Sequence, residues 1–229
     1  MPVPLNASTE AVRAFLTKLV GFTVDDSLPF LTPTGSQSDM DFIAVHPTQP
    51  PKMILPDGRK VELKRCIAVE VKGWPDSRDI DTTVFNELQN DLKQLESAQT
   101  QYIPSADWSR LHYGFFSQPA YDFAAKRFGT NDFQRLVFIT PKPRPSKYAK
   151  LPLEGLLDGF AQRRIYFVWI DDVLTTLFQY AKESQYDSRR NMTLELMRYL
   201  QIAGFNPPMN AQVIRFEFPG LSEGPQSGG

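Results

Sequence analysis

The sequence predicts an α/β fold, a mixed central β-sheet flanked by helices on both faces, and three observations carry that prediction. Residues 135–140 and 164–170 are near-continuous apolar runs rich in β-branched and aromatic side chains, the pattern of strands buried on both faces. Residues 8–20 and 83–101 instead repeat their apolar positions at helical spacing. Strand-like and helix-like segments then alternate along the chain without an internal repeat or a break in composition, so a single domain over residues 1–220 is expected.

The elements follow in order. Over residues 8–20, Ala11, Phe15 and Leu19 form one stripe, and Ser8-Thr9-Glu10 supplies a helix start. Residues 21–38 are turn-rich, with Pro29, Pro33 and Gly35, and 28–31 read as a short edge strand. The apolar run behind Asp41 is a strand. Pro47, Pro50 and Pro51 interrupt the chain after it, and Pro56-Asp57-Gly58-Arg59 is a strong hairpin turn. Cys66 to Lys72 is the next strand, broken by Gly73-Trp74-Pro75. The helix over 83–101 buries Phe85, Leu88, Leu92 and Leu95. Period alone leaves 111–116 open between strand and helix. The strand over 164–170 runs into a helix through Tyr180, whose start carries Asp171 and Asp172 where acidic side chains favour the helix dipole. A helix over 191–203 stops at Gly204, a last strand covers 212–218, and the Ser/Gly/Pro-rich residues 221–229 read as a disordered tail.

Of the 229 residues, 41% are hydrophobic and 12% aromatic, enough for a full core. No apolar run nears the ~20 residues of a membrane span, and the N-terminus lacks a basic-then-apolar leader, so a cytoplasmic location is the expectation. Cys66 is the single cysteine, which excludes an internal disulfide framework and leaves it a small packing residue. The net charge of −1 gives the whole molecule no pull on nucleic acid, so any such binding must be local. The densest basic stretch is 141–150, where Lys142, Arg144 and Lys147 alternate with prolines. It can touch a phosphate backbone, or serve only as a solvated connector.

Chemistry concentrates at two strand ends. Asp41 heads the run Phe42-Ile43-Ala44-Val45, with Asp39 two residues earlier on the same strand face. Glu70 and Lys72 end the run Ile67-Ala68-Val69 and alternate onto one face, with Val71 between them on the apolar side. An acidic-x-Lys triplet is common in itself. Glu62-Leu63-Lys64 and Asp91-Leu92-Lys93 also match, but one lies in a charged run beside a turn and the other on the polar side of a helix. Only Glu70 follows four consecutive small or β-branched apolar residues, Cys66-Ile67-Ala68-Val69. A hard divalent cation takes oxygen ligands from several segments, and a neighbouring lysine can orient or help deprotonate an attacking water. The competing reading makes these ordinary strand-end charges, with Lys72 paired to one carboxylate.

With an acidic residue on one strand, a hairpin connection and Glu70-Val71-Lys72 on the next, the chain resembles the PD-(D/E)xK nuclease superfamily, which shares the restriction-endonuclease-like fold. The resemblance covers roughly residues 8–140, and Met40 stands where the family name has proline. It implies a restriction-endonuclease-like mixed sheet and Mg²⁺- or Mn²⁺-dependent hydrolysis of phosphodiester bonds, with DNA favoured over RNA. Asp41, Glu70 and the Val71 backbone carbonyl would hold the metal and Lys72 would position water, with Asp39 a rival to Asp41. The family's entry-helix glutamate corresponds to Glu10. Gln89 and Gln94 are similar to glutamines that some members place near the metal, and the face they occupy also reads as merely solvated. Trp74, just past Lys72, offers a ring that can stack on a base or pack beside the site. A role in defence, restriction or repair follows, with a homodimer or a partner protein delivering substrate.

Other constellations are missing. His46 and His112 have no zinc-like spacing with cysteine, and no nucleophile elbow, phosphate-binding glycine loop or dinucleotide fingerprint occurs. A non-catalytic nucleic-acid-binding or assembly protein on the same fold is the alternative. An unrelated interaction module would separate Asp41 from Glu70 in space.

Overall fold

A computed structural model of the chain describes residues 7–31, 37–73, 118–140, 152–183, 191–205, 207 and 211–220. The central sheet is built from β1 (Thr23–Leu31), β2 (Gln37–Val45), β5 (Cys66–Gly73), β6 (Gln134–Thr140) and β7 (Ile165–Trp169), side by side in that order. β1 pairs antiparallel with β2, and β2 with β5. From β5 onward the sheet is parallel, Ile67 opposite Gln134 and Arg135 opposite Ile165. A mixed sheet results, and its strand-end geometry decides what Glu70 can meet.

β6 lies between β5 and β7, and both strands bury all but one residue, Thr140 and Tyr166, as their continuous apolar runs predict. Two of the buried side chains of β6 are polar and held. The Gln134 carboxamide donates to the Glu62 carbonyl and accepts from the Lys64 N–H, both at 2.6 Å, stitching β6 to the chain just before β5. Arg135 is buried with its guanidinium 5.7 Å from the Tyr121 ring centre.

Helices cover both faces. On one side α1 (Ala7–Ala14), α4 (Ile170–Glu183) and α5 (Met192–Ile202) pack with Phe42, Val69, Val71, Phe138 and Val168. On the other, α2 (Gln118–Phe128) and α3 (Leu153–Ala161) pack with Ala68, Val137, Ile139, Phe167 and Trp169. Neither α2 nor α3 is anticipated by the sequence reading, because each is short and its apolar positions are interrupted by glycine or charge. The helix predicted over 83–101, the segment 111–116 and the tail 221–229 lie outside the described residues.

The first helix differs from the expected single α-helix. After Ala14 it widens into a π-helix, Phe15–Val20, which buries Phe15, Leu16 and Val20 together. The Thr17 hydroxyl donates to the Arg13 carbonyl at 2.9 Å, a side chain reaching back into the helical ladder. Gly21 ends the element at φ 91°, and both Gly21 and Phe22 N–H groups donate to the Leu16 carbonyl. β1 is longer than the edge strand expected over 28–31. It still tolerates Pro29, because its outer side needs no ladder donor.

A second sheet has three short strands in the order β4 (Lys60–Glu62), β3 (Lys52–Ile54), β8 (Arg215–Glu217). The predicted turn joins β3 to β4, with Gly58 at φ 86°. It is pinned to the end of β7: the Trp169 indole N–H donates to Asp57 at 3.3 Å and Arg59 donates to the Phe167 carbonyl at 2.9 Å. The final strand is therefore shorter than the 212–218 run, and pairs with β3 outside the central sheet. Among the described residues no helix is long and apolar enough to cross a membrane.

Candidate metal site

The antiparallel ladder between β2 and β5 runs from Val45 opposite Cys66 to Phe42 opposite Val69. One residue further, a side chain takes over. The Asp41 carboxylate accepts the Val71 N–H at 2.7 Å, which ties the two acidic strands together thirty positions apart in sequence. Asp41 and Glu70 are thereby close neighbours, and the interaction-module reading that separates them does not describe this chain.

Glu70 lies on the face of Ala68, opposite Val69 and Val71, as strand alternation requires. It is only 2% exposed. Lys72, two residues on and 11% exposed at its side chain, brings its Nζ to 2.5 Å from Glu70 Oε1. The other oxygen, Oε2, is buried with no hydrogen-bond partner among the described residues. A buried carboxylate oxygen left without a donor is uncommon and costly.

The electrostatics follow from that burial. Loss of water pushes the Glu70 carboxyl up to about 8; Lys72 opposes the rise, while the Asp41 and Asp39 charges add to it. Burial also raises Asp41, against the pull of the Val71 N–H and of Lys72. Among the described residues, the buried Glu70 and half-buried Asp41 carboxylates face a single ammonium, Lys72. Asp39 is exposed and acts on both only as a nearby like charge. Of the two rivals on β2, Asp41 is the one in contact with β5.

Glu10 is not brought to this group. α1 packs on the face of Val69 and Val71, and the Glu10 carboxylate accepts from Arg13 at 3.2 Å. Arg13 also bridges to Asp26 and lies over the Phe42 ring, 5.3 Å from its centre. No signal in the local sequence marks that Arg13 has two acidic partners, since Asp26 arrives from β1. Trp74, Lys142, Arg144 and Lys147 lie outside the described residues, as do Gln89 and Gln94.

The remaining sequence candidates have structural occupations. Asp171 stands in the first turn of α4 and accepts from the Thr140 hydroxyl at 2.9 Å. His46 is buried, with Nε2 3.1 Å from the Val20 carbonyl. Burial pushes the Cys66 thiol up, away from reactivity. Cavities of about 650 and 550 Å³ open around Lys18 and Leu19, and neither is lined by Asp41, Glu70 or Lys72.

The donor set fits a hard divalent cation in kind: carboxylate oxygens from two strands, one of them buried with no partner among the described residues. It is small in number. Among the described residues no group of three or more His, Cys, Asp or Glu side chains is arranged to hold a metal ion. Compared with known proteins, the chain matches no family model, no curated protein and no solved structure.

Proposed function

We propose that this chain is a Mg²⁺- or Mn²⁺-dependent nuclease of the PD-(D/E)xK type on a restriction-endonuclease-like fold, hydrolysing phosphodiester bonds of nucleic acid, DNA before RNA. The observation that carries the reading is Glu70: buried, one oxygen on Lys72 and the other without a hydrogen-bond partner among the described residues, beside Asp41. A structural ion pair needs no second carboxylate at its side, and burying Glu70 between the half-buried Asp41 and Lys72 does little for stability alone. A function is the better account of such a group.

Asp41 and Glu70 would hold the metal, with the Val71 carbonyl as a further oxygen. The Val71 N–H fixes the Asp41 carboxylate, so the two acidic ligands come pre-positioned by backbone rather than by flexible side chains. A bound divalent ion would supply charge stabilisation at the phosphate and lower the pKa of a coordinated water. Lys72, confined by its short contact to Glu70, would orient that water and keep its ammonium close to the developing negative charge. A defence, restriction or repair role and a cytoplasmic setting accompany this reading.

A second reading has an observation of its own. Only two carboxylates converge among the described residues, and no larger metal-holding group does. A non-catalytic nucleic-acid-binding or assembly protein on the same fold would keep the ion pair without turnover.

Cleavage of single- and double-stranded DNA and RNA with Mg²⁺ or Mn²⁺ separates the two, with Glu70→Gln and Lys72→Ala as controls. Metal-dependent cleavage that falls at least about 100-fold in both variants, as loss of a metal ligand or a charge-stabilising group does, supports the nuclease. Binding without cleavage, unchanged by either variant, supports the second reading.

A further inference from the structure

We propose that the turns feeding β5, β6 and β7 form a second nucleic-acid contact, which grips the phosphate backbone at the end of the sheet opposite Glu70. Lys64 and Arg65 precede β5, Asp132 precedes β6 and Arg164 precedes β7. The three strands are neighbours in that order and start level, with Ile67 opposite Gln134 and Arg135 opposite Ile165. The topology therefore sets these turns side by side, within about 10 Å at the ordinary strand spacing. Along β5, roughly 23 Å of extended chain separates Arg65 from Lys72, so this surface is distinct from the metal site.

Three cations here meet one carboxylate. Lys64 Nζ lies 3.2 Å and Arg164 Nη1 2.5 Å from Asp132 Oδ1, and Asp132 is itself exposed. These two bridges fix the spacing of the cations and cancel one of the two charges. Arg65 is held differently: its guanidinium donates to the His46 carbonyl at 3.4 Å and to the Pro47 carbonyl at 3.3 Å. Those bonds steady the arm and leave its charge without a carboxylate partner among the described residues. Arg163 and, in the last turn of α2, Lys126 add positive charge at the margins. In a chain of net charge −1, a local excess of this kind is what a grip on a polyanion requires.

The backbone of Arg164 points the same way. It stands at φ 58°, the one non-glycine residue in the left-handed region among the described residues. α3 ends in a tight turn, with the Arg163 and Arg164 N–H groups donating to the Phe160 and Ala161 carbonyls at 2.9 Å. The Arg135 N–H donates to the Arg164 carbonyl at 2.9 Å and ties this turn to β6. Glycine takes that conformation freely, whereas arginine is strained in it. Strain kept at an exposed corner marks a role for the side chain that it carries. The kind of partner follows from what the surface lacks. No large apolar side chain is exposed in the turns 64–65, 130–132 and 162–164, so the anchors of a protein interface are missing. Guanidinium forks on an open polar surface suit phosphate oxygens.

The surface is independent of the metal chemistry, so it is tested in EDTA, where cleavage plays no part. Fluorescence anisotropy of a labelled DNA duplex of about 30 base pairs would be followed from about 50 to 200 mM salt. The full chain would be compared with Arg65→Ala/Arg164→Gly, Arg65→Lys/Arg164→Lys and Lys60→Ala. The neutral double variant should bind at least about 10-fold more weakly and lose about 2 from the slope of log affinity against log salt, one per phosphate contact. Its circular dichroism should be unchanged and its melting temperature should not fall, because glycine relieves the left-handed turn. The lysine pair keeps both charges and should bind within about threefold of the parent. Lys60, exposed on β4 beside the hairpin that is pinned to the other end of β7, should be silent. A parent that binds no DNA at about 50 mM salt overturns the proposal. So does an unchanged slope in the neutral variant, an equal loss in Lys60→Ala, or a loss shared by the lysine pair. Poly-glutamate that displaces the duplex at equal charge would overturn it too, assigning the surface to acidic proteins. Absence of cleavage in Mg²⁺ while this binding holds would remove the nuclease and leave the surface standing.

Discussion

Glu70 is held folded against its own preference for water, and its titration therefore reports on stability. Its carboxyl rises to about 8 in the folded chain from an ordinary value of 4.5. Between those values the folded state keeps a proton that the unfolded state has released, so stability falls as pH rises through the window, and the loss is complete above the folded value. Urea denaturation should show a decline of about 2–4 kcal/mol from about pH 5 to about pH 8.5 in the wild type. Glu70→Gln should flatten it, and a variant that declines as steeply would remove Glu70 as the cause. Asp41 makes a separable prediction. Asp41→Ala strips the Val71 N–H of its acceptor and should cost ~1–3 kcal/mol, whereas Asp41→Asn retains an oxygen there and should cost under about 1 kcal/mol. Thermal melts of the two variants decide it: equal losses would mean that the hydrogen bond is not what holds the two strands.

The elements carry the site through their ends. The β2–β5 ladder stops at Phe42 and Val69, and the freed Val71 N–H is what Asp41 captures. The entry helix ends just as specifically. Its π-helical turn closes on Gly21 at φ 91°, and a Cβ there would sit 3.2 Å from His46 Nε2. Gly21→Ala should therefore destabilise the protein by about 1–2 kcal/mol or more, from left-handed strain with the His46 contact added. An unchanged midpoint in denaturant would show that the turn relaxes instead. Much of this level was legible. The β6 and β7 runs, the Pro56–Arg59 turn and the helix entered by Asp171 and Asp172 are encoded in short windows, where period and turn chemistry act locally. The π-helical turn was not, because Ala11, Phe15 and Leu19 satisfy an ordinary helix. Only packing Phe15, Leu16 and Val20 against the sheet at once favours the wider turn.

For the whole molecule, the pairing of Asp41 and Glu70 with one ammonium among the described residues should make the fold respond to divalent cations. Mn²⁺ or Mg²⁺ at ~100 times its dissociation constant should add about 2.7 kcal/mol. At ~2–4 °C per kcal/mol for a chain of this size, the melting temperature should rise by several degrees. A chelator should reverse the rise, and Glu70→Gln should abolish it. A rise of equal size in that variant would place cation binding elsewhere and sink the metal site. The net charge of −1 means that any grip on nucleic acid comes from local patches, so cleavage should weaken steeply with salt only if such a patch contributes.

What the sequence by itself determined is what depends on period in the long apolar runs: that β2, β5, β6 and β7 are strands, which face Glu70 and Lys72 share, and where Val71 points. Backbone geometry forces those results, and no distant contact is needed to produce them. Tertiary structure alone decided the rest. Asp41 met Val71 because β2 and β5 became neighbours, Glu70 lost its water because β5 is flanked on both sides, and Glu10 went to Arg13 on the opposite face because α1 packs there. Burial and pairing are properties of which segments stack, and a carboxylate carries no local mark of how dry its surroundings will be.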